Sequence, residues 1–315
     1  MLKYIVIELC KTSTSFCHYN NHCLEAELIS LDDLQTAIIF SMKQNLNIQF
    51  LYPDYQLPLE YTEVIESIDH IKIMSSKAVS AKDAKIIVLN GIKESEDFAW
   101  NPDQVHILRI SKNELHGLPT LIEQIKQKIS RLNVILTDIE SFSDSDLEFY
   151  KEILNEIEKS VEGILVRNES IQINFLTDRI ALESMNNCNA GCETITVAPN
   201  GKFYICPAFY HENSEDYCGD LVSGLNIKNP QLYRIDHAPI CKHCDAWHCK
   251  RCVWLNRKMT LEVNTPSYQQ CVLSHIERNI SRDILENIKK SGYQTDSEIS
   301  KIDYLDPFEK RSDWK

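Results

Sequence analysis

The chain reads as an α/β protein in which a parallel sheet with crossover helices is followed by a small cysteine-rich α+β domain. Two observations predict this. Short apolar, β-rich runs alternate with segments of helical periodicity through the first 175 residues, and nine of the twelve cysteines lie between Cys188 and Cys271. Strands that alternate with helices imply parallel pairing, in an open doubly wound sheet or in a complete or partial (β/α) barrel. Thiols concentrated in one region point to zinc or iron-sulfur binding.

The first strand is expected over 2–9, and the second over 48–52. Between them Leu31, Leu34, Ala37, Ile38 and Met42 fit one helix face. Ser30 followed by Asp33 resembles a capping box, which starts that helix just after Ser30. The alternation goes on with a helix over 61–68 and strands over 71–74, 85–89 and 105–110. Pro119 suits the first turn of a long helix whose stripe is Leu121, Ile122, Ile125 and Ile129. A strand over 133–137 follows, and Ser143 with Asp146 opens a helix carrying Leu147, Tyr150, Ile153, Leu154 and Ile157. The junction between domains is expected within 169–187, which divides the chain into an α/β domain over 1–175, a cysteine-rich domain over 176–290 and a loosely held charged tail over 291–315. A helical run from Cys271 to about Lys290 ends the second domain.

With 43% hydrophobic and 25% charged residues, the chain has the composition of a globular protein. Its net charge of -13 argues against a nucleic-acid partner, because phosphate binding draws its affinity from clustered Lys and Arg. The apolar opening is interrupted by Glu8 and is too short for a signal or a membrane span, so a cytoplasmic protein without a membrane partner is expected. In a reducing compartment thiols remain available to metals.

The run Cys241-x2-Cys244-x4-Cys249-x2-Cys252 contains two CxxC pairs, each able to bring two thiolates to one centre from a tight turn. Alone it could make one tetrahedral zinc site. Cys188, Cys192, Cys206 and Cys271 occur in similar turn-like surroundings, and eight such thiols suggest two four-ligand centres. His243 and His248 lie inside the motif and could replace a thiolate on zinc, but solvated histidines are the favoured reading of both. Cys218 stands outside the pattern as a plain buried or free thiol.

From Cys188 onward the chain resembles the SPASM domain, the auxiliary-cluster module of radical SAM enzymes that mature peptides. The matching residues are Cys188-Asn189-Ala190-Gly191, the stretch Thr194-Ile-Thr-Val-Ala-Pro-Asn-Gly-Lys-Phe-Tyr-Ile-Cys206-Pro207, the four-cysteine run and the later Cys271. Asn200-Gly201 is a hairpin signal that would bring Cys188 and Cys192 toward Cys206. The resemblance implies two interleaved [4Fe-4S] clusters, the first on Cys188, Cys192, Cys206 and Cys252 and the second on Cys241, Cys244, Cys249 and Cys271. Zinc is the alternative metal. Interleaved ligands would staple distant segments together.

The first part resembles a radical SAM barrel with an altered cofactor site. Radical SAM enzymes carry a CxxxCxxC loop after the first strand, whereas this chain has Cys10-x6-Cys17-x5-Cys23. Before Cys188 it has only Gly91, Gly117 and Gly163, so the family's glycine-rich strand end is absent as well. The resemblance therefore does not carry S-adenosylmethionine over to this chain. Cys10, Cys17 and Cys23 could bind a metal with His18 or His22, or be scattered loop thiols. The opening Met1-Leu-Lys-Tyr-Ile-Val-Ile-Glu-Leu9, the segment Ser15-Phe-Cys-His-Tyr19 and Asn45-Leu-Asn-Ile-Gln-Phe-Leu-Tyr-Pro-Asp-Tyr55 are similar to the CXXX repeat peptide maturase family. That similarity implies a role in the maturation of a ribosomally made cysteine-rich precursor peptide. The alternative is a noncatalytic zinc- or cluster-stabilised peptide-binding scaffold that serves a partner modifying enzyme.

Two strand ends offer further side chains. Asp54 and Tyr55 follow a strand where parallel sheets usually carry function, but a turn around Pro53 explains them too. Asp138 and Glu140 could act as acid-base groups or cap and solvate a loop. No HExxH or comparable spacing suggests a metal-dependent hydrolase.

Overall fold

The computed structural model describes residues 2–167 and 171–307. Glu169 and Ser170 of the expected junction and residues 308–315 of the expected tail lie outside the described residues. In chain order the strands are β1 (Tyr4–Glu8), β2 (Asn47–Leu51), β3 (Ile71–Ser75), β4 (Ile86–Asn90), β5 (Val105–Ile110), β6 (Arg131–Leu136), β7 (Gln172–Ile173), β8 (Thr194–Val197), β9 (Phe203–Tyr204), β10 (Gly219–Asp220) and β11 (Gly224–Leu225). The helices are α1 (Leu31–Lys43), α2 (Leu59–Glu66), α3 (Ile92–Glu96), α4 (Leu118–Ile125), α5 (Asp144–Val166), α6 (Thr177–Ala181), α7 (Pro207–Glu212), α8 (Val253–Thr260) and α9 (Tyr268–Lys290). Two compact units emerge, each discontinuous in sequence: 1–88 with 188–238, and 89–187 with 239–315.

In the first unit β1 is flanked by parallel partners on both sides, Tyr4 standing opposite Asn47 of β2 and opposite Thr194 of β8. A strand enclosed in this way buries both faces, which is why its sequence is a continuous apolar run rather than an alternation. Glu8, the residue that interrupts that run, is itself fully buried, 2.7 Å from Nε2 of His211 on α7. Burial raises its pKa above the ordinary carboxylate value, and the imidazole opposes that rise. Parallel pairing continues from β2 to β3 and from β3 to β4, while β9 returns antiparallel to β8.

Helix α1 starts where its cap predicts, with the Ser30 hydroxyl accepting from the Asp33 amide at 3.0 Å. Its buried face is Leu34, Ala37, Ile38 and Ser41, while Met42 is turned to solvent. The expected stripe was one residue out: Ser41 fits the core because its hydroxyl donates to the Ala37 carbonyl at 2.6 Å.

In the second unit β5 and β6 pair in parallel from Val105 opposite Arg131 to Ile110 opposite Leu136, and β7 continues the sheet. Helix α4 is shorter than its apolar stripe suggests, ending at Ile125, and Ile129 is buried from the following loop. The Ser143 and Asp146 capping box opens α5 as expected. Leu147, Ile153, Leu154 and Ile157 of α5 are buried, and this helix packs against α9.

Helix α9 begins before Cys271, not after it. Ser267 caps it, with Gln270 completing a capping box, so Cys271 sits in its first turn. The following segment also departs from the expectation of a loose tail. Ile299 is buried, the Lys289 ammonium donates to the Ser297 carbonyl at 2.7 Å, and His275 Nδ1 meets the Leu305 carbonyl at 2.6 Å. Charged composition concealed these backbone contacts. Among the described residues no helix is long and apolar enough to cross a membrane.

His106 of β5 is fully buried against Phe98 and Trp100. Burial lowers its pKa from 6.5 to about 4. The folded state therefore binds fewer protons than the unfolded state below pH 6.5, and this residue withdraws stability as pH falls toward 4. His106→Phe should flatten that part of the pH dependence, as followed by chemical denaturation between pH 4 and 7. Leu154→Ala, which opens a cavity beneath α5, should lower stability by about 2–5 kcal/mol in the same measurement.

Candidate metal centre

The run from Cys241 to Cys249 folds as a series of tight turns rather than as strands. Cys241 opens a single 3-10 turn closed by the Cys244 amide donating to the Cys241 carbonyl at 3.1 Å. The Ala246 amide then donates to Cys244 Sγ at 3.4 Å, and the Arg251 amide to Cys249 Sγ at 3.4 Å. Amide donation two residues past a sulfur is what the CxxC spacing allows: the chain curls around the thiol and points its N–H groups inward. Such donors stabilise negative charge on sulfur. The Asn187 amide also reaches Cys249 Sγ, at 3.6 Å, and the Cys249 carbonyl.

Cys271, one helical turn into α9, completes the set. Cys241, Cys244, Cys249 and Cys271 line one cavity, together with Arg251 and His275. Cys241 and Cys271 are buried, Cys244 and Cys249 half-buried. Burial pushes the Cys241 thiol up to about 12 and the Cys244 thiol up to about 11, and neighbouring thiols add to both shifts. Cys271 is raised by burial and then by Cys241, Cys249 and Cys244. Four mutually repelling sulfurs out of water cannot ionise together by themselves. A cation among them reverses that balance, because a coordinating thiol is deprotonated outright. The donor set thus suits a thiolate-bound metal group. Among the described residues no three His, Cys, Asp or Glu side chains are gathered for a single ion.

The loop is held by buried charge. Asp245, next to Cys244, accepts from Arg278 of α9 at 2.5 and 2.7 Å and from Arg179 of α6 at 2.9 Å. Lys250 pairs with Glu277 at 2.7 Å, and the Tyr150 hydroxyl donates to the same carboxylate at 2.6 Å. The Lys250 amide donates to Ser274 Oγ at 2.9 Å. The contacts of Asp245 and Lys250 each pin a residue adjacent to a cysteine onto helix α9 or α6. Single-sequence reading missed Asp245, Arg278 and His275. The one available signal was the spacing of Cys271 and His275, which puts them on the same helix face.

The other four thiols divide between the units. Cys188, Cys192 and Cys206 belong to the first, and Cys252, at the N-cap of α8, to the second. The Asn200-Gly201 hairpin forms as expected, with Gly201 at φ +71° and Thr196 opposite Tyr204. That register carries Cys206 to the end of the hairpin at which β8 begins, just after the 188–192 loop. The loop itself turns through Asn189 at φ +49° and Gly191 at φ +80°, and the Tyr233 ring occupies the space a Cβ on Gly191 would need. Only glycine satisfies both conditions there.

The remaining candidates have structural partners. Cys218 Sγ donates to the Phe203 carbonyl at 3.4 Å, and burial pushes its thiol up to about 12. His243 is exposed, and His248 Nδ1 lies 2.8 Å from Asp178. Cys10 Sγ contacts Thr12 Oγ1 and accepts from the Tyr55 hydroxyl, both at 3.2 Å, while Cys23 Sγ faces the Glu25 carbonyl. Asp138 accepts from the Lys112 amide, and Glu140 pairs with Lys258 at 2.5 Å. Asp54 is exposed. No disulfide joins any of the twelve cysteines.

No family model and no curated protein matches the chain. Solved structures do match. Native anSMEcpe with bound AdoMet and Cp18Cys peptide superposes with a TM-score of 0.62 at 12% identity, over 91% of this chain and 99% of that one. A histidine-tagged form of anSMEcpe with bound AdoMet gives 0.61 at 11% identity over the same shares. Streptococcus suis SuiB bound to precursor peptide SuiA aligns over 85% of this chain and 76% of its own, at 11% identity and a TM-score of 0.46. At such identities the likeness to anSMEcpe is one of fold. It bears out the expected radical-SAM-like α/β class and, at that level, the resemblance read from the sequence.

Arg278→Ala would leave Asp245, about a third exposed, with Arg179 alone and remove two hydrogen bonds to its carboxylate, and should cost about 1–3 kcal/mol. Lys258→Ala, at a partly exposed pair, should cost less than about 1 kcal/mol. Paired urea titrations of the two variants check the contrast.

Proposed function

We propose that this chain takes part in the maturation of a ribosomally made, cysteine-rich precursor peptide, as a radical-SAM-like domain over 1–175 joined to a SPASM domain over 176–290 that holds two [4Fe-4S] clusters. In this reading Cys241, Cys244, Cys249 and Cys271 bind one cluster, and Cys188, Cys192, Cys206 and Cys252 bind the other. The observation that carries the proposal is the gathering of the first of these sets along one cavity. Those four cysteines come from two separate segments, and they are the set that the SPASM resemblance assigns to one centre. A [4Fe-4S] cluster takes one thiolate at each of its four corners, and zinc, the alternative, draws four ligands to a point. When bound, a [4Fe-4S] cluster supplies one-electron redox chemistry. The chain's own part is to hold the sulfurs out of water, aim amides at Cys244 and Cys249, and brace the loop through Asp245. The fold shared with anSMEcpe, which carries AdoMet and the Cp18Cys peptide, supports a peptide as the substrate class. A cytoplasmic location belongs to the same reading.

A second reading is favoured by one specific observation. In place of a CxxxCxxC loop the chain has Cys10 tied to Thr12 and Tyr55, which suits a noncatalytic scaffold that presents the precursor to a partner modifying enzyme. Under it the thiol domain, with clusters or zinc, serves stability and peptide binding.

Anaerobically purified protein should contain roughly eight irons and eight sulfides per chain and absorb broadly near 400 nm, on the order expected for two [4Fe-4S] clusters. Cys271→Ser should reduce both contents by about half. Zinc without acid-labile sulfide would sink the cluster assignment. Incubation with S-adenosylmethionine and a strong reductant separates the two readings: 5'-deoxyadenosine forms only if the first domain is a working radical enzyme.

A further inference from the structure

After α9 the chain turns back and runs along that helix toward its start. The contacts follow in order. Near the last turn the Lys289 ammonium donates to the Ser297 carbonyl at 2.7 Å. Three turns earlier Arg278 reaches Ser300 Oγ at 3.2 Å, and Arg179 reaches the Glu298 carbonyl at 3.4 Å. Ile299 is buried between these anchors. One turn earlier again, the edge of the Tyr304 ring meets His275 at a centroid distance of 5.6 Å, and His275 Nδ1 donates to the Leu305 carbonyl at 2.6 Å. The segment then arrives at the thiol centre, where Pro307 forms part of the cavity lining.

His275 stands between the segment and the sulfurs. With its Nδ1 engaged by Leu305, its Nε2 lies 3.7 Å from Cys244 Sγ. Arg278 plays a parallel part, since the guanidinium that holds Ser300 also holds Asp245, the neighbour of Cys244. The segment and the cysteine loop therefore share two anchoring side chains on one helix.

We infer that residues 297–307 are a strap that closes the four-thiol centre, with His275 and Arg278 as the posts that fasten it. The strap has no helix or strand of its own, and it is fastened by hydrogen bonds to side chains of α9 and α6. Segments of this kind open locally at far lower cost than the core they cover. Opening admits metal, sulfide, oxidants or chelators to the sulfurs, and closing excludes them. The strap gives a deeply placed centre a route for loading that leaves α5 and α9 packed. Its consequence for metal uptake rests on the proposed metal role, but the closure itself is a matter of thiol access and can be read without metal.

The test is the rate at which N-ethylmaleimide labels each cysteine of the metal-free full chain, resolved by peptide mass spectrometry. Ending the chain after Asp296 should speed labelling of Cys244 and Cys271 by about tenfold, the scale of a local opening, and leave Cys218 in the other unit unchanged. Unchanged rates at Cys244 and Cys271 overturn the strap. Equal acceleration at Cys218 would signal a general loss of structure and passes the decision to Tyr304→Ala, which loosens the fastening at His275. There, Cys244 labelling about threefold faster with Cys218 constant upholds the strap, and no change overturns it. Iron and sulfide contents judge the cluster proposal separately, so either idea can fail while the other stands.

Discussion

A carboxylate beside a cysteine organises the second unit. Asp245 is shared by the guanidinium groups of Arg278 and Arg179, and Arg278 is almost wholly out of water. A buried cation of this kind is tolerable only while its acceptors are in place, and removing one partner strands the other. The cysteine loop, helix α9 and helix α6 therefore hold one another in position. The loop contains too little apolar surface to pack by itself, so its shape depends on these directional contacts. Lys250 with Glu277 and Tyr150 extends the same arrangement to α5.

Polar bracing of this sort matters for thiols in particular. An apolar wall would bury the sulfurs equally well, but it would leave them as neutral thiols with high pKa. Here the burial is accompanied by inward-facing amides at Cys244 and Cys249 and by the Asn187 side chain. These donors lower the cost of charge on sulfur, although burial still prevails in the protein alone. Without a cation these sulfurs stay neutral. Metal binding and proton release would then be linked, as for any thiolate site.

The first unit solves a different problem. β1 is the inner strand of a parallel sheet, and its C-terminal end carries Glu8, buried with His211, where composition alone would place an apolar residue. The stacked Tyr19 and His211 rings cover that pair. Cys10, just past the strand, is drawn into contacts with Thr12 and Tyr55. The fold resembles that of anSMEcpe, and Cys10 after the first strand is engaged in local hydrogen bonding.

Much of the molecule was legible in the sequence because local physics decides it. Strand and helix alternation follows from apolar periodicity, the starts of α1 and α5 from Ser30 and Ser143, and the β8–β9 hairpin from the φ that Gly201 alone accepts easily. The pairing of Cys241, Cys244 and Cys249 with Cys271 came from the SPASM resemblance and not from CxxC spacing, which joins Cys241, Cys244, Cys249 and Cys252; the structure places the first four along one cavity. What escaped depends on contacts between residues far apart in the chain. Met42 and Ser41 exchange roles because a hydroxyl can satisfy itself on its own helix. Residues 292–307 look like a loose charged tail, since nothing in their composition reveals that His275, Arg278 and Arg179 wait for their carbonyl and hydroxyl groups. By itself the sequence determined which segments are regular and which thiols share a motif, because both are set by neighbours a few residues away. Only the tertiary structure decided what braces and covers those thiols, because a buried ion pair or hydrogen bond forms only once packing brings its two halves together.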